Sequence, residues 1–139
     1  STIRGAPRIV DGRLLVPGRP EDAPRRALAF IKDGARATLV PAAHGYAAKL
    51  GKTPSSVTLR DTRSRWGSCS SDRSLSFSWR LMMAPPDVLD YVAAHEAAHL
   101  VEMNHAPAFW AVVEGLMPDW RLRRDWLREH GAGLHRWRF

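Results

Sequence analysis

The stretch that decides the fold is HEAAHLVEMNH, residues 95–105. Residues four apart lie on the same face of an α-helix, so His95 and His99 can bind a single metal ion together. Glu96 lies about 100° further round the helix and points away from a direct metal bond. Its carboxylate can instead reach a water molecule held by the metal. Two imidazole ligands beside a carboxylate base are typical of metal-assisted hydrolysis.

A histidine pair at this spacing also occurs on helices that bind no metal, as a hydrogen-bonded cluster in a protein core. The apolar neighbours of the pair favour a metal here, because they predict a buried helix: Val92, Ala93, Ala97, Leu100 and Val101. Buried histidines and a buried glutamate are costly unless they are paired or bound to a metal. We therefore predict a metal site.

A third ligand requires a break in the helix. On a continuous helix His105 would lie about 240° round from His99 and would face away from the metal. Asn104 favours the left-handed conformation that commonly ends helices, and Pro107 suits the first turn of a new one. We therefore predict a break between residues 102 and 107 that turns His105 toward the metal.

Two further side chains compete for a role in chemistry. Glu114 is the alternative third ligand, because it falls on the helix that follows, although it could equally be a surface carboxylate. Cys69 could be a nucleophile or a further metal ligand, but no histidine lies near it in sequence to activate it. We favour His105 over Glu114 as the ligand, and a packing role for Cys69.

Length and composition predict one folded catalytic domain spanning residues 1–139, since 45% of the residues are hydrophobic and six are tryptophan. No apolar run approaches the roughly 18 residues that span a membrane, and no secretory signal is visible. The single cysteine excludes an internal disulfide and indicates the cytoplasm. The net charge of +7 fits nucleic acid, an acidic substrate or a solvated basic surface.

Hydrophobic patterns and turn residues predict an α+β fold. It would be a small twisted antiparallel or mixed sheet with helices on one face and the histidine helix at the centre. Pro41 is expected to kink or end the first helix. The predicted elements are a hairpin over 8–16 with Asp11-Gly12 at its turn, a scaffold helix from 21 to 50, strands over 55–61 and 75–79, a loop over 63–71, and helices over 87–102, 107–117 and 119–130.

Five motifs occur in a fixed order: RWGSC (65–69), WRL (79–81), DYV (90–92), HExxH (95–99) and NHxPxFW (104–110). Together they resemble the YgjP-like metallopeptidases, which are related to the SprT-like and WLM proteases. The resemblance runs from about Val57 to Trp126. Two positions depart from the usual family pattern: Ser78 replaces an Asn, and Ala97 replaces a Leu. Neither change removes a candidate ligand.

The resemblance implies a zincin fold, a zinc ion bound by His95, His99 and His105, and Glu96 as general base. It also implies that the N-terminal strands are shortened or truncated in this chain. The expected activity is hydrolysis of peptide bonds in a peptide or protein by a zinc-bound water. Candidate oxyanion donors are Arg65, Arg80 and Tyr91; no other substrate-binding residue is assigned.

The substrate is expected to pair along the edge of the strand from Leu75 to Trp79. Two alternative functions use the same metal site. The first is a nucleotide (UTP-type) pyrophosphatase, an activity associated with YgjP-like proteins, in which the loop from Arg60 to Arg65 would bind phosphates. The second is a non-catalytic zinc and nucleic-acid-binding module.

The basic C-terminal region is a candidate nucleic-acid surface. Arg121, Arg124 and Arg128 fall at helical spacing and could form one stripe facing phosphates. Trp137, in the tail HRWRF, could stack on a base. A solvated basic helix is the alternative interpretation.

Overall fold

The computed structural model describes residues 7–10, 13–136 and 139. Helices and two small sheets alternate along the chain, so the α+β prediction is confirmed. In chain order the elements are β1 (Arg8–Val10), β2 (Arg13–Leu15), α1 (Ala23–Lys49), β3 (Ser56–Arg60), β4 (Gly67–Cys69), β5 (Ser74–Ser78), α2 (Pro86–Ala98), α3 (Pro107–Leu116) and α4 (Trp120–His130). Short 3-10 turns cover Pro20–Asp22, Trp79–Met83 and Gly131–Arg136.

The N-terminal strands β1 and β2 pair antiparallel, with Val10 opposite Arg13, as the hairpin pattern predicts. The predicted turn residues Asp11 and Gly12 lie outside the described residues. In the part of the chain that the structure describes, no helix is long and apolar enough to cross a membrane.

Helix α1 is the scaffold of the molecule. Its buried residues recur every four positions and form one apolar stripe: Ala27, Ile31, Ala35, Leu39, Ala43 and Ala47. Most of these side chains are alanine, so the backbone of a neighbouring helix can approach closely. The stripe packs against α2, which is thereby fixed to the longest element of the fold.

The expected kink or end at Pro41 is wrong, because α1 continues through it to Lys49. A proline inside a helix has no N–H to offer, so the carbonyl of Ala37 loses its usual partner. Pro41 and Ala37 both lie on the exposed face of the helix, where water can satisfy that carbonyl. Leu39 and Ala43, on the opposite face, stay fully buried and hold the helix against the core.

The main sheet has the strand order β3-β5-β4, with β3 parallel and β4 antiparallel to β5. The loop expected over residues 63–71 therefore contains a strand, Gly67–Cys69. This strand has no hydrophobic alternation for a sequence pattern to reveal, because its residues are Gly, Ser and Cys. It is held by backbone pairing with β5 and by the hydroxyl pair Ser68–Ser76 at 2.6 Å.

The sheet order corrects the predicted edge for substrate pairing. Strand β5 lies between β3 and β4, so both of its edges are already paired. Its Leu75 and Phe77 are buried in the core with Leu39 of α1 and Phe109 of α3. Among the described residues, the open edge beside the histidine helix belongs to β4, which contacts α2.

Helix α2 is central, as predicted, and nine of its thirteen residues are buried. It packs on α1, α3, α4 and β4. Residues near its end deviate from the expectation, since Val101 is 42% exposed and lies beyond the last helical turn. The burial predicted for the histidines and Glu96 therefore comes from the middle of α2 and from the elements around it.

Candidate metal centre

The three histidines of the sequence motif come together at the end of α2. His95 lies in its last turns, His99 is the residue that caps it, and His105 returns from the turn that follows. One nitrogen from each ring lies within 4.8 Å of the others. The Nε2 atom of His105 is 3.0 Å from that of His99 and 3.3 Å from that of His95.

The chain reaches this arrangement by a different route from the one predicted. Asn104 does not adopt a left-handed conformation; the one positive φ among the described non-glycine residues is at Arg73. Instead α2 ends at Ala98, and the N–H groups of residues 99–101 bond to carbonyls three residues back. This tighter winding closes the helix and redirects the chain. Pro107 then begins α3, as expected.

The spacing of the nitrogens fits a tetrahedral zinc. Zinc–nitrogen bonds of about 2.0–2.1 Å at tetrahedral angles place two ligand nitrogens about 3.3 Å apart. The two separations from Nε2 of His105, 3.0 and 3.3 Å, lie close to this value, and all three nitrogens lie within 4.8 Å of one another. Three imidazole lone pairs that face one another repel unless a cation or a proton lies between them. The residues present therefore fit a zinc ion.

A hydrogen bond on the far side of the ring sets the tautomer of His99, and the one made by His95 is compatible with the same tautomer. The Nδ1 atom of His99 lies 3.0 Å from the carbonyl of Glu102, and a carbonyl can only accept, so Nδ1 carries the proton. The Nδ1 atom of His95 lies 3.1 Å from the hydroxyl of Tyr91, one helical turn earlier. In both rings Nε2 is then free to bind a metal.

Burial keeps these rings neutral. Burial first, and then the neighbouring His99 and His105, lower the pKa of His95 to about 3. Burial also lowers the pKa of His99. A histidine must be deprotonated to bind a metal, so this environment favours the ligand form at neutral pH.

Glu96 lies next to the cluster without joining it, as its helical position predicts. Its side chain is 5% exposed, and burial raises its pKa to about 8, against the opposing charge of Arg65. A Cβ atom added at Gly67 would lie 2.8 Å from Cγ and 2.9 Å from Oε2 of Glu96. Strand β4 therefore packs directly on the carboxylate, and Gly67 is a site residue that the sequence analysis did not identify.

His95, His105 and Glu96 line a cleft with a volume of about 460 Å³. Its walls come from the segment before β4, from α2 and from α4, and they include Arg65, Trp66, Tyr91, Arg124 and Arg128. A larger, mostly apolar cavity of about 1060 Å³ lies between the β1–β2 hairpin, α1 and the C-terminal segment. None of the three histidines lines it, so the smaller cleft is the one that adjoins the candidate metal centre.

The structure separates the candidate oxyanion donors. Arg65 and Tyr91 line the cleft. Arg80 does not: it is 3% exposed and donates to Asp61 at 2.8 Å and to the Leu134 carbonyl at 3.0 Å. The expectation for Arg80 was wrong because the WRL motif forms a 3-10 turn that points this guanidinium into the interior, toward Asp61 at the end of β3.

The two competing side chains lie away from the cluster. Glu114 is half exposed and pairs with Arg121 at 3.2 Å, so it is not among the groups that could hold the metal. Burial raises the pKa of Cys69 to about 11, and its thiol lies 3.5 Å from the Ser70 carbonyl. A thiol with so high a pKa is poorly suited to be a nucleophile at neutral pH.

Two arginines on the basic face of α4 already form ion pairs within the protein. Arg121 pairs with Glu114, and Arg124 pairs with Asp125 at 3.2 Å. Arg124 and Arg128 also line the cleft, a position that helical spacing alone could not reveal. Trp137 lies outside the described residues.

Two tryptophans of the sequence motifs, Trp66 and Trp79, have different surroundings. Trp79 is 5% exposed and belongs to the core. Trp66 packs against the core and also lines the cleft, and its ring stacks on that of His135 with the centroids 4.8 Å apart. A Cβ atom at Gly131 would lie 3.1 Å from the Trp66 ring, so the segment after α4 packs closely behind this wall.

Comparison with known proteins extends the resemblance seen in the motifs. The family model of the YgjP-like metallopeptidase domain matches residues 3–130, well beyond the stretch from Val57 to Trp126 that the motifs cover. No curated protein is similar enough to count as a match. The matched region includes the cleft, the three histidines and Glu96. The chain therefore belongs to the YgjP-like metallopeptidase family.

Proposed function

We propose that this protein is a zinc-dependent metallopeptidase that binds zinc through His95, His99 and His105 and uses Glu96 as general base. One observation carries the proposal: three imidazole nitrogens converge within 4.8 Å of one another, and two of these rings line the same cleft as a buried carboxylate that is not part of their cluster. We also propose a cytoplasmic location, because the single cysteine of the protein is a free thiol and the cytoplasm keeps thiols reduced.

Zinc bound there would polarise the substrate carbonyl and make water a better nucleophile near neutral pH. The charge of a bound zinc ion would favour the ionised form of the Glu96 carboxylate. Glu96 then takes a proton from the attacking water and passes it to the nitrogen of the leaving amine. Gly67 holds the backbone of β4 against this carboxylate and limits its movement. A base whose position is fixed in this way spends little free energy on reorientation during the reaction.

Tyr91 is the favoured donor to the oxyanion. With a metal on Nε2 of His95, its Nδ1 would carry the proton and donate to the Tyr91 oxygen, which leaves the hydroxyl proton of Tyr91 available to the cleft. Burial raises the pKa of Tyr91 to about 12, so the hydroxyl keeps this proton at neutral pH. Arg65 provides a second, charged donor on the facing wall.

An extended peptide could bind along β4. Among the described residues this strand pairs on one side only, with β5, and its Gly67 lines the cleft. Backbone groups on its open edge can pair with a substrate strand and bring a peptide bond beside the histidines. This replaces the edge of β5 that the sequence had suggested.

Nucleotide pyrophosphatase activity is the second candidate. The observation in its favour is that Arg65, which closes the RDTRSR loop, lines the cleft together with Arg124 and Arg128. Guanidinium groups bind phosphate oxygens in pairs of hydrogen bonds. A non-catalytic zinc module is less well supported. A structural zinc site is closed by its protein ligands and needs neither an open cleft nor a carboxylate base beside the metal.

The proposal is tested by the contrast between Glu96→Gln and His99→Ala. Glu96→Gln keeps the size of the side chain and loses the base. Zinc content should stay unchanged while hydrolysis of a peptide library falls by roughly 10²–10⁴-fold. His99→Ala should lose zinc and activity together.

UTP, assayed beside the peptide library with zinc present, separates the two candidate activities. Hydrolysis of UTP without any peptide cleavage would replace the peptidase proposal by the pyrophosphatase. Full peptidase activity in Glu96→Gln would rule out Glu96 as the base.

A further inference from the structure

Positive charge surrounds the candidate active site on two walls. Arg65 immediately precedes Trp66 and β4, whereas Arg124 and Arg128 lie one turn apart on α4. All three line the cleft that contains Glu96. A ligand held there would therefore meet guanidinium groups from the sheet side and from the helix side.

Little negative charge in the cleft balances these arginines. Glu96 is the one carboxylate among the described lining residues, and it is only 5% exposed. Arg124 has a partner in Asp125 at 3.2 Å and stacks over Trp120 at 4.9 Å. In the described part of the chain, no carboxylate lies within salt-bridge distance of Arg65 or Arg128.

The remaining walls suit a peptide more than a nucleotide. Gly67 begins the open edge of β4, which offers backbone hydrogen bonds to an extended chain. Val92 and Leu127 add apolar surface between the arginines. Guanidinium groups bind carboxylates through paired hydrogen bonds and are well suited to recognise them.

We propose that this cleft selects peptides with aspartate or glutamate side chains next to the scissile bond, through Arg65 and Arg128. The inference rests on the proposed peptidase function and names its substrate class. An acidic side chain on the bound strand would complete the charge balance that the protein leaves open. A neutral side chain of the same shape would leave both guanidinium groups without a partner.

Binding can be measured separately from hydrolysis in zinc-loaded Glu96→Gln protein. The probes are two pools of N-acetylated, C-amidated octapeptides that differ only in carrying Asp and Glu in one pool and Asn and Gln in the other. The acidic pool should bind roughly three- to tenfold more tightly. Adding Arg65→Gln or Arg128→Gln should remove most of this preference, and added salt should weaken it.

Arg121→Gln is the matched control, because Arg121 also lies on α4 but pairs with Glu114 and does not line the cleft. It should leave the preference unchanged. Equal binding of the two pools would overturn the inference, as would binding of UTP, but not of acidic peptides, that depends on Arg65 and Arg128. Zinc content and melting temperature confirm that each variant is folded.

The wild-type enzyme supplies the second readout. Cleavage of the acidic pool in preference to the amide pool supports both proposals. Selective binding of the acidic pool without cleavage would refute the peptidase function while leaving the acid-selective cleft in place. The two proposals can therefore fail separately.

Discussion

Gly67 and Glu96 pack directly against each other in the cleft, and this contact is possible because glycine has no Cβ atom. Any Cβ at position 67 would lie 2.8–3.1 Å from three atoms of the glutamate side chain. Strand β4 is paired to β5, and Glu96 sits on a helix packed in the core, so neither can move far. The carboxylate would have to rotate away from its present position.

Gly67→Ala should therefore reduce hydrolysis by about tenfold or more while zinc content stays at the wild-type level, since a misplaced base costs rate and not metal affinity. Gly45→Ala is the control, because a Cβ there meets nothing within 4 Å on the exposed face of α1. It should stabilise the protein by about 0.5–1 kcal/mol without changing activity. Peptidase assays and zinc analysis of both variants provide the measurement. Unchanged activity in Gly67→Ala would contradict the role given to Glu96.

Tyr91 acts on the metal site through His95. Its hydroxyl is the hydrogen-bond partner of Nδ1, at 3.1 Å, and so fixes the ring that presents Nε2. Loss of such a partner typically weakens metal binding by roughly 10–100-fold. Tyr91→Phe should accordingly lose zinc to a competing chelator at lower chelator concentrations than the wild type does.

Tyr46→Phe is the matched control, because that hydroxyl donates to Asp90 and touches no histidine. It should change the free energy of unfolding without changing zinc affinity. Equal zinc affinities for Tyr91→Phe and the wild type would show that the ring is oriented by packing alone.

At the scale of elements, one buried guanidinium connects three parts of the chain. Arg80, in the turn after β5, donates to Asp61 at the end of β3 and to the Leu134 carbonyl after α4. It also lies over the ring of Trp79, 4.5 Å from the centroid. The guanidinium of Arg80 thus links the C-terminal segment behind Trp66 to the sheet. Because this charge is buried, it needs both hydrogen-bond partners.

The hydrogen bond from Arg80 holds the pKa of Asp61 below its usual value of 3.8. A carboxyl with a lowered folded-state pKa adds stability above its unfolded pKa, and this stability is lost as the pH falls through the folded value. Asp61→Asn should therefore lower the free energy of unfolding at pH 7. We expect a small loss of about 1 kcal/mol, because Asp61 is 39% exposed and solvent screens its interaction with Arg80. The difference should shrink as the pH falls below about 4.

Denaturant unfolding at a series of pH values tests this expectation. Asp33→Asn is the control, since Asp33 is 80% exposed and its ion pair with Arg36 spans 3.7 Å. Removing this exposed ion pair should leave the free energy of unfolding almost unchanged at any pH. A difference between Asp61→Asn and wild type that stays constant down to pH 2 would mean that the charge of Asp61 plays no part.

At the scale of the whole molecule, the histidine cluster joins the end of α2 to the turn that leads into α3. Phe109 of α3 stacks on His99 at 4.3 Å, so the cluster is continuous with the hydrophobic core. A metal bound there would link these elements in the folded state and have no comparable site in the unfolded chain. Metal binding should therefore add to the free energy of unfolding.

Zinc should bind with about one ion per chain and raise the free energy of unfolding by about 4 kcal/mol when its free concentration is about 1,000 times Kd. Thermal unfolding with zinc and with a chelator measures the shift. His105→Ala should abolish most of it, and Glu114→Ala should keep it, because Glu114 pairs with Arg121 instead. A shift that survives in His105→Ala and vanishes in Glu114→Ala would reverse the assignment of the third ligand.

The sequence by itself determined the residues of the candidate centre and the elements that carry them. The spacing of His95, Glu96 and His99 is a property of any helix, and Pro107 marks the start of the next helix wherever it packs. The α+β class followed in the same way from local periodicity. These features depend on neighbours in sequence, so a pattern can reveal them.

Only the tertiary structure decided the surroundings of that centre. Strand β4 exists because β5 lies beside it, and Arg80 points inward because Asp61 and Leu134 offer it partners there. Gly67 meets Glu96, and Arg65 shares a cleft with Arg128, across long separations in sequence. Such contacts depend on which elements pack together, and the free energy of that packing is spread over the whole core. For this reason the candidate metal ligands could be predicted from one stretch of sequence, whereas the walls of the cleft could not.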